Sequence, residues 1–248
     1  MTRNPIHRVL SVLRTSDVRF LLMGGQACVL YGGAEFSRDT DIAILPRKEN
    51  LEALQKALAA LKANPIAVPP CTMENLQKGH AAHFRCNDDR AAGIHLDVMS
   101  TMRGVEPFER LWERRTTVEL ESGLTVDLLS LPDLVKAKKT QRDKDWPMIR
   151  RLIEADFESC AGSPSQNQVE FWLLEARSPE ILRKLCRDYP QRCSDLAAKR
   201  AILRTVCDGT DEHVQEALRS EEESQRKADR EYWQPLQKEL ERMRHGER

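Results

Sequence analysis

Between positions 20 and 45 the chain reads FLLMGGQACVLYGGAEFSRDTDIAIL, and this stretch restricts the fold more than any other. The run over residues 18–23, apolar but for Arg19, has the pattern of a buried strand. Gly24-Gly25 stops it. Residues 26–31 then suit a two-turn helix that starts at the glycines and ends at Gly32-Gly33. Thirteen residues separate Gly25 from Asp39. Asp39-Thr40-Asp41 opens a second apolar strand over residues 40–45, closed by Pro46. A strand, a glycine pair and a helix form a context in which phosphate can approach bare backbone N–H groups at a positive dipole end.

The two acids carry the chemistry. Strand side chains alternate faces, so Asp39 and Asp41 point the same way, about 7 Å apart along the strand. Carboxylates that close raise each other's pKa unless a cation lies between them. A hard divalent ion suits oxygen ligands, and magnesium, with manganese as its alternative, keeps waters and takes substrate phosphates. Asp97 stands inside another apolar strand, IHLDVM over residues 94–99, flanked by Leu96 and Val98. A carboxylate buried there needs a partner. If this strand lies beside residues 40–45, three carboxylates converge. That would suit a two-metal arrangement in which one ion activates a hydroxyl, with Asp97 on the base side, and the other steadies a leaving pyrophosphate.

The remaining chain divides by pattern. Ile6, Val9, Leu10 and Leu13 share one face of a short helix over residues 5–15. Residues 49–62 form an amphipathic helix rich in Ala and Leu, and residues 64–72, with three prolines, a loop. Residues 81–86 and 94–99 read as a hairpin. A short helix follows within 105–115, then a second hairpin joining 116–119 to 124–128. Ser130 caps a helix that carries Pro132 and Asp133 in its first turn and runs to about residue 140; another spans 145–155. GSPS at 162–165 marks a linker. Beyond it only helices are expected, over 167–176, 180–188, 194–207 and 211–244. The last is charged on nearly all faces, the pattern of a solvated or partner-binding helix. The expected class is α+β, a small mixed sheet flanked by helices over residues 1–158, followed by an all-α extension over 166–248.

With these residues in hand, the pattern resembles the nucleotidyltransferase superfamily that includes DNA polymerase β. The signature there is an apolar residue, Gly, Gly or Ser, a spacer, acid–x–acid, and a later acid between apolar residues. Here it maps onto Met23-Gly24-Gly25, Asp39-Thr40-Asp41 and Leu96-Asp97-Val98. The look is similar to small bacterial members of the minimal and abortive-infection type, through Gly24-Gly25-Gln26-Ala27, Gly32, and Leu131-Pro132-Asp133-Leu134 followed by Lys138, Arg142, Lys144 and Asp145. The resemblance covers about residues 18–155. It implies Asp39, Asp41 and Asp97 as metal-binding catalytic acids and Gly24, Gly25 and Arg38 as nucleotide contacts. Lys138, Arg142 and Lys144 would contact phosphate. The implied reaction moves a nucleoside monophosphate from a nucleoside triphosphate such as ATP to a hydroxyl, releasing pyrophosphate. The acceptor would be a protein, a tRNA end or a small molecule. Two positions depart from the pattern: Glu35 stands where relatives often carry arginine, and Thr40 replaces an aliphatic residue. The alternative is a non-catalytic module of the same fold, such as a toxin–antitoxin partner, gripping another protein through the helical tail.

Composition narrows the classes. Equal numbers of basic and acidic residues, 39 each, give no strongly basic surface for long nucleic acid. No run of about 18 apolar residues exists to span a membrane, and the first residues lack the apolar core of a secretion signal. The seven cysteines are scattered, without CxxC, so a reduced cytoplasmic thiol set is expected, neither zinc knuckle nor disulfide scaffold. His80, His83 and Cys86 are spaced by three, but the segment runs from loop into strand and lacks a fourth ligand. The four tryptophans (112, 146, 172, 233) are expected to pack in the core.

Overall fold

In the computed structural model, residues 4–160 and 162–246 are described; the outer ends of the two expected segments, 1–3 and 247–248, lie outside them. The chain forms two compact units. The first takes the chain up to Leu30, then Glu35–Ala137, and the chain from Tyr232 on; the second takes Tyr31–Ala34 and Lys138–Glu231.

The first unit contains α1 (Pro5–Thr15), β1 (Phe20–Met23), α2 (Gly24–Leu30), β2 (Thr40–Ile44), α3 (Lys48–Ala60), β3 (Asn64–Pro65), α4 (Met73–Lys78), β4 (Ala82–Arg85), β5 (His95–Met99), α5 (Phe108–Glu113), β6 (Thr116–Glu119), β7 (Thr125–Leu128) and α6 (Leu131–Ala137). Its strands make one mixed sheet in the order β3-β4-β5-β2-β1-β7-β6. β1 runs antiparallel to β2, and β2 runs parallel to β5. Both expected hairpins are present, as β4–β5 and β6–β7. The expected α+β class, with a small mixed sheet, flanking helices and a helical C-terminal region, is what the chain adopts.

Strand alternation sorts the side chains. Thr40, Ile42 and Ile44 of β2, Leu96 and Val98 of β5, and Ala82 and Phe84 of β4 are buried. Asp41, His83, His95 and Asp97 fall on the opposite face and are half-exposed. Asn50 closes the far end of β1 and β2. Its amide donates to the carbonyls of Arg19 and Leu45, and its Oδ1 accepts from the Arg19 N–H. A buried amide so placed satisfies backbone groups the ladder leaves open.

Thr40 does the opposite. It is fully buried, and its hydroxyl has no hydrogen-bond partner among the described residues. An unpaired buried hydroxyl costs about 1–3 kcal/mol. Thr40→Val, close in shape but without the hydroxyl, is therefore expected to stabilise the protein by about 1 kcal/mol, read as a raised urea midpoint at unchanged slope.

Several boundaries differ from the sequence pattern for physical reasons. The stretch read as a loop over 64–72 holds the two-residue edge strand β3. The helix α4 after it was unassigned, although its caps were visible: Thr72 accepts from the Asn75 N–H, and Gly79 ends it at φ +101°. The helix started by Ser130 stops at Ala137. Asp133 does more than cap: Arg114 donates to it through Nε at 2.6 Å and Nη2 at 2.9 Å, and Ser130 Oγ at 2.7 Å.

The second unit is helical: α7 (Asp145–Cys160), α8 (Gln166–Glu175), α9 (Pro179–Asp188), α10 (Pro190–Leu196), α11 (Ile202–Asp208) and most of α12 (Asp211–Arg244). A capping box at Ser165 and Gln168 starts α8, and Pro179 takes the first turn of α9. The single helix expected over 194–207 is two. Nothing in Ala197–Ala201 opposes helix by propensity, so the break is tertiary. Arg200 turns inward and donates to the carbonyls of Leu173 and Ala176 at the end of α8. Trp172 is fully buried and meets Phe157 edge-on, a packing role as expected. No described helix is long and apolar enough to cross a membrane.

From Tyr232 on, α12 belongs to the first unit. Glu239 there accepts from Lys78 at 2.9 Å and meets His80 Nε2 at 3.0 Å. The helix expected to be solvated or partner-binding thus has an end held by Lys78 and His80.

Candidate active site

Sheet register builds the site. Asp41 pairs with Asp97 across the parallel β2–β5 ladder, and with Met23 across β1–β2. Residues opposed in a ladder share a face, so the two carboxylates are cross-strand neighbours. Asp97 pairs in turn with His83 on β4. The His83 ring meets Asp97 through Nδ1 at 2.8 Å. That hydrogen bond holds the His83 pKa above its ordinary value, against the pull of burial, and the charges of Asp97 and Asp41 add to it.

Asp39 precedes β2 and is more exposed, at 58%. His95, the first residue of β5, brings Nδ1 to 3.8 Å from it. Arg85 contacts His95 Nε2 through Nε at 3.3 Å and Nη2 at 3.2 Å. Guanidinium only donates, so Nε2 is the acceptor and the ring proton sits on Nδ1, toward Asp39. Asp97 and Asp39 thus each have a histidine beside them, His83 and His95, and Arg85 orients the second.

The glycine turn is shaped by these acids. Gly24 has φ +63°, and a Cβ on it would lie 1.9 Å from Asp41 Oδ2. The Gly25 N–H donates to the same oxygen at 3.3 Å. A Cβ on Gly25 would meet Ser37 Oγ at 2.3 Å. Gln26 then fixes the acid-bearing loop by donating to the Ser37 carbonyl at 2.6 Å. The pair Gly24-Gly25 therefore admits the Asp41 carboxylate and the Ser37 side chain, and one of its N–H groups is committed to Asp41.

A cavity of about 600 Å³ opens beside Asp39 and His95, lined also by Gln26, Phe36, Arg38 and Gly93. Phe36 is 70% exposed, and the Arg38 guanidinium lies 5.8 Å from its ring centroid. Glu35 lines the same cavity. The size falls within the range of small-molecule sites.

The carboxylates share a face without forming a closed cage. Among the described residues, the one group of three or more potential ligands whose donor atoms all lie within 4.8 Å of one another is made of cysteines elsewhere. Asp39, Asp41 and Asp97 are not such a group, so the expected convergence of three carboxylates is reduced to the Asp41–Asp97 pair in register with Asp39 beside it. The donors present are hard oxygens, and the bonds from His83 and Gly25 orient Asp97 and Asp41 from behind.

Lys138, Arg142 and Lys144 lie in the second unit. Lys138 meets Asp145 Oδ1 at 3.1 Å, and Arg142 and Thr140 donate to its Oδ2 at 2.8 and 2.5 Å. Asp145 is almost fully buried. Burial would raise its pKa, but Lys138, Thr140 and Arg142 outweigh that and hold it low. Two of the three cations thus serve a buried acid, and Lys144 is exposed.

Arg85, His95 and Phe36 escaped the sequence reading, and His83 entered it only as a rejected zinc ligand. For the strand residues the signal was the alternation itself: polar residues recur at every second position of β4 and β5, in register with Asp97; Phe36, before β2, carried no such signal.

No family model and no curated protein matches the chain. Several solved structures do, among them two from Helicobacter pylori. One, from Helicobacter pylori and provisionally described as a nucleotidyltransferase, is 13% identical over 93% of this chain and 95% of its own, with a TM-score of 0.42. The other, JHP933 from Helicobacter pylori, is 11% identical over 94% of each chain, with a TM-score of 0.35.

Proposed function

We propose that the acid face of the sheet and the adjoining cavity form the active site of a metal-dependent nucleotidyltransferase. The observation that carries this reading is the direct register of Asp41 with Asp97, with Asp39 two residues before Asp41 and beside the cavity. Asp39, Asp41 and Asp97 would hold magnesium or manganese, which when bound neutralises phosphate charge and makes a nearby hydroxyl easier to deprotonate.

The nucleoside triphosphate occupies the cavity, where Phe36 offers an exposed aromatic face for a base and Arg38 a cation for phosphate. The acceptor oxygen attacks the α-phosphorus in line, and the bond from that phosphorus to the bridging oxygen breaks. Pyrophosphate leaves with the electron pair, and the acceptor proton passes to the Asp97 side. Asp97 takes it on Oδ2, the oxygen not engaged by His83 Nδ1. His95 Nδ1 stands 3.8 Å from Asp39, close enough to add to its electrostatic environment. The acceptor is a hydroxyl of a protein, a tRNA or a small molecule.

The test uses the full chain with each α-labelled nucleoside triphosphate, magnesium or manganese, and cell lysate. Label transfer to an acceptor is expected, and its loss in Asp39→Ala and Asp41→Ala proteins that remain folded. No transfer with any of the four nucleotides and either metal would overturn the reading. Glu35 in the cavity lining favours a second reading, a binding module of the same fold, and that module would give the negative result.

A further inference from the structure

Three of the seven cysteines, one from each of three successive helices, meet in the second unit. Cys186 comes from α9, Cys193 from α10 and Cys207 from α11. Their Sγ atoms all lie within 4.8 Å of one another, with Cys193 and Cys207 at 3.8 Å. All three are free thiols. We propose that this trio is a binding site for one Zn2+ ion, held by three thiolates with a solvent molecule as the fourth ligand.

The geometry suits that ion. With Zn–S bonds of about 2.3 Å, a tetrahedron places its sulfurs about 3.8 Å apart. One edge already has that length, and the others need close by no more than about 1 Å. The donors are all soft sulfur, which selects zinc over the hard ions expected at the carboxylates. Cys186 and Cys193 are buried, and Cys207 is exposed, so the site has a dry floor, an entry path and an open fourth position. Three thiolates and one divalent ion carry a net charge of −1. Cys207 Sγ lies at the exposed edge, where solvent screens that charge; nearby Arg183 holds the carbonyls of Val206 at 3.1 Å and Gly209 at 2.7 Å and pairs its own charge with Asp211 at 2.6 Å.

Loading the site needs no oxidant. Burial raises the pKa of the Cys186 and Cys193 thiols, so they stay protonated until the ion displaces the protons. Three S–H bonds break, three protons go to solvent, and three Zn–S bonds form. The result would clamp three helix segments together, two of them only seven residues long. Helices so short do not hold themselves in water, so a cross-link there acts where local stability is least.

The test is zinc titration of the full chain, purified reduced and stripped by chelator, against a chromophoric competitor. Mass spectrometry after alkylation reports which thiols the ion protects. One zinc per chain is expected, with Cys186, Cys193 and Cys207 protected while Cys160 still reacts. Binding should persist in Cys160→Ser and fall at least about 100-fold in Cys193→Ser. Should Cys193→Ser fail to fold, Cys207→Ser, altered at an exposed position, carries the same expectation. Three cysteines that only pack together would leave the trio unprotected by zinc, or zinc stoichiometry unchanged in the folded Cys207→Ser protein. Either result overturns the proposal. The readouts involve no nucleotide, so they stand or fall apart from the transferase reading.

Discussion

Replacing Arg200 by methionine is expected to lower stability by about 3–5 kcal/mol, the usual cost of removing one partner from a buried charge pair. Arg200 is 5% exposed. Its guanidinium donates to Glu221 Oε1 at 2.9 Å and Oε2 at 2.7 Å, and to the carbonyls of Leu173 and Ala176 at 3.0 and 2.9 Å. Methionine fills much of the volume but leaves two helix-end carbonyls unpaired and Glu221 with Arg177 alone, at 3.1 Å. The urea midpoint reports the loss. A double replacement, Arg200→Met with Glu221→Met, is expected to recover part of it, because both charges then go together.

The same pair has a pH signature. Burial would raise the Glu221 pKa, but the hydrogen bonds and charge of Arg200, with Arg177 and Lys139, hold it below its ordinary 4.5. A carboxylate with a depressed folded pKa stabilises above the unfolded value, and that contribution is lost as pH falls through the folded one. Wild-type stability should therefore fall on acidification more steeply than that of Arg200→Met.

Gly24→Ala is expected to cut label transfer by about 100-fold or more, the scale of effect that follows from misplacing a reacting group by about 1 Å. The new Cβ would stand 1.9 Å from Asp41 Oδ2 and 2.6 Å from Asp41 Cβ. Rotating the carboxylate away relieves only the first contact, so either the acid or the turn must move. Alanine at φ +63° adds about 1–2 kcal/mol of backbone cost. Gly123→Ala supplies the control: φ is +75° there, nothing lies within 4 Å of the added carbon, and the β6–β7 turn is clear of the acids. It should lose similar stability and keep full transfer. A Gly24→Ala protein with undiminished transfer would show that Asp41 needs no help from the turn.

Much of the first unit was legible because strands announce themselves locally. Two-residue alternation put Asp39 with Asp41 on one face, whereas the adjacency of β2 and β5 stood only as a condition, and the register of Asp41 with Asp97 came from the sheet. What escaped was non-local. The break between α10 and α11 depends on carbonyls some 25 residues away in sequence, which no helix propensity encodes. The cysteine trio draws on three helices, and its spacing matches no local ligand pattern. Lys138 and Arg142 looked like anion ligands because a basic run shows its charge but not its partner, and the partner is the buried Asp145. His83 and His95 were within reach: the rule that found Asp97 applies to them unchanged.

The parallel pairing of β2 with β5 also bears on how errors are caught. Sliding β5 by one residue against β2 would turn Asp97 and His95 into the apolar layer and lift Leu96 and Val98 into solvent. The misregistered sheet is thus disfavoured by burial energy long before any substrate could probe it. A molecule that has folded at all has its acids aligned, so the pleat acts as proofreader for the chemistry laid across it.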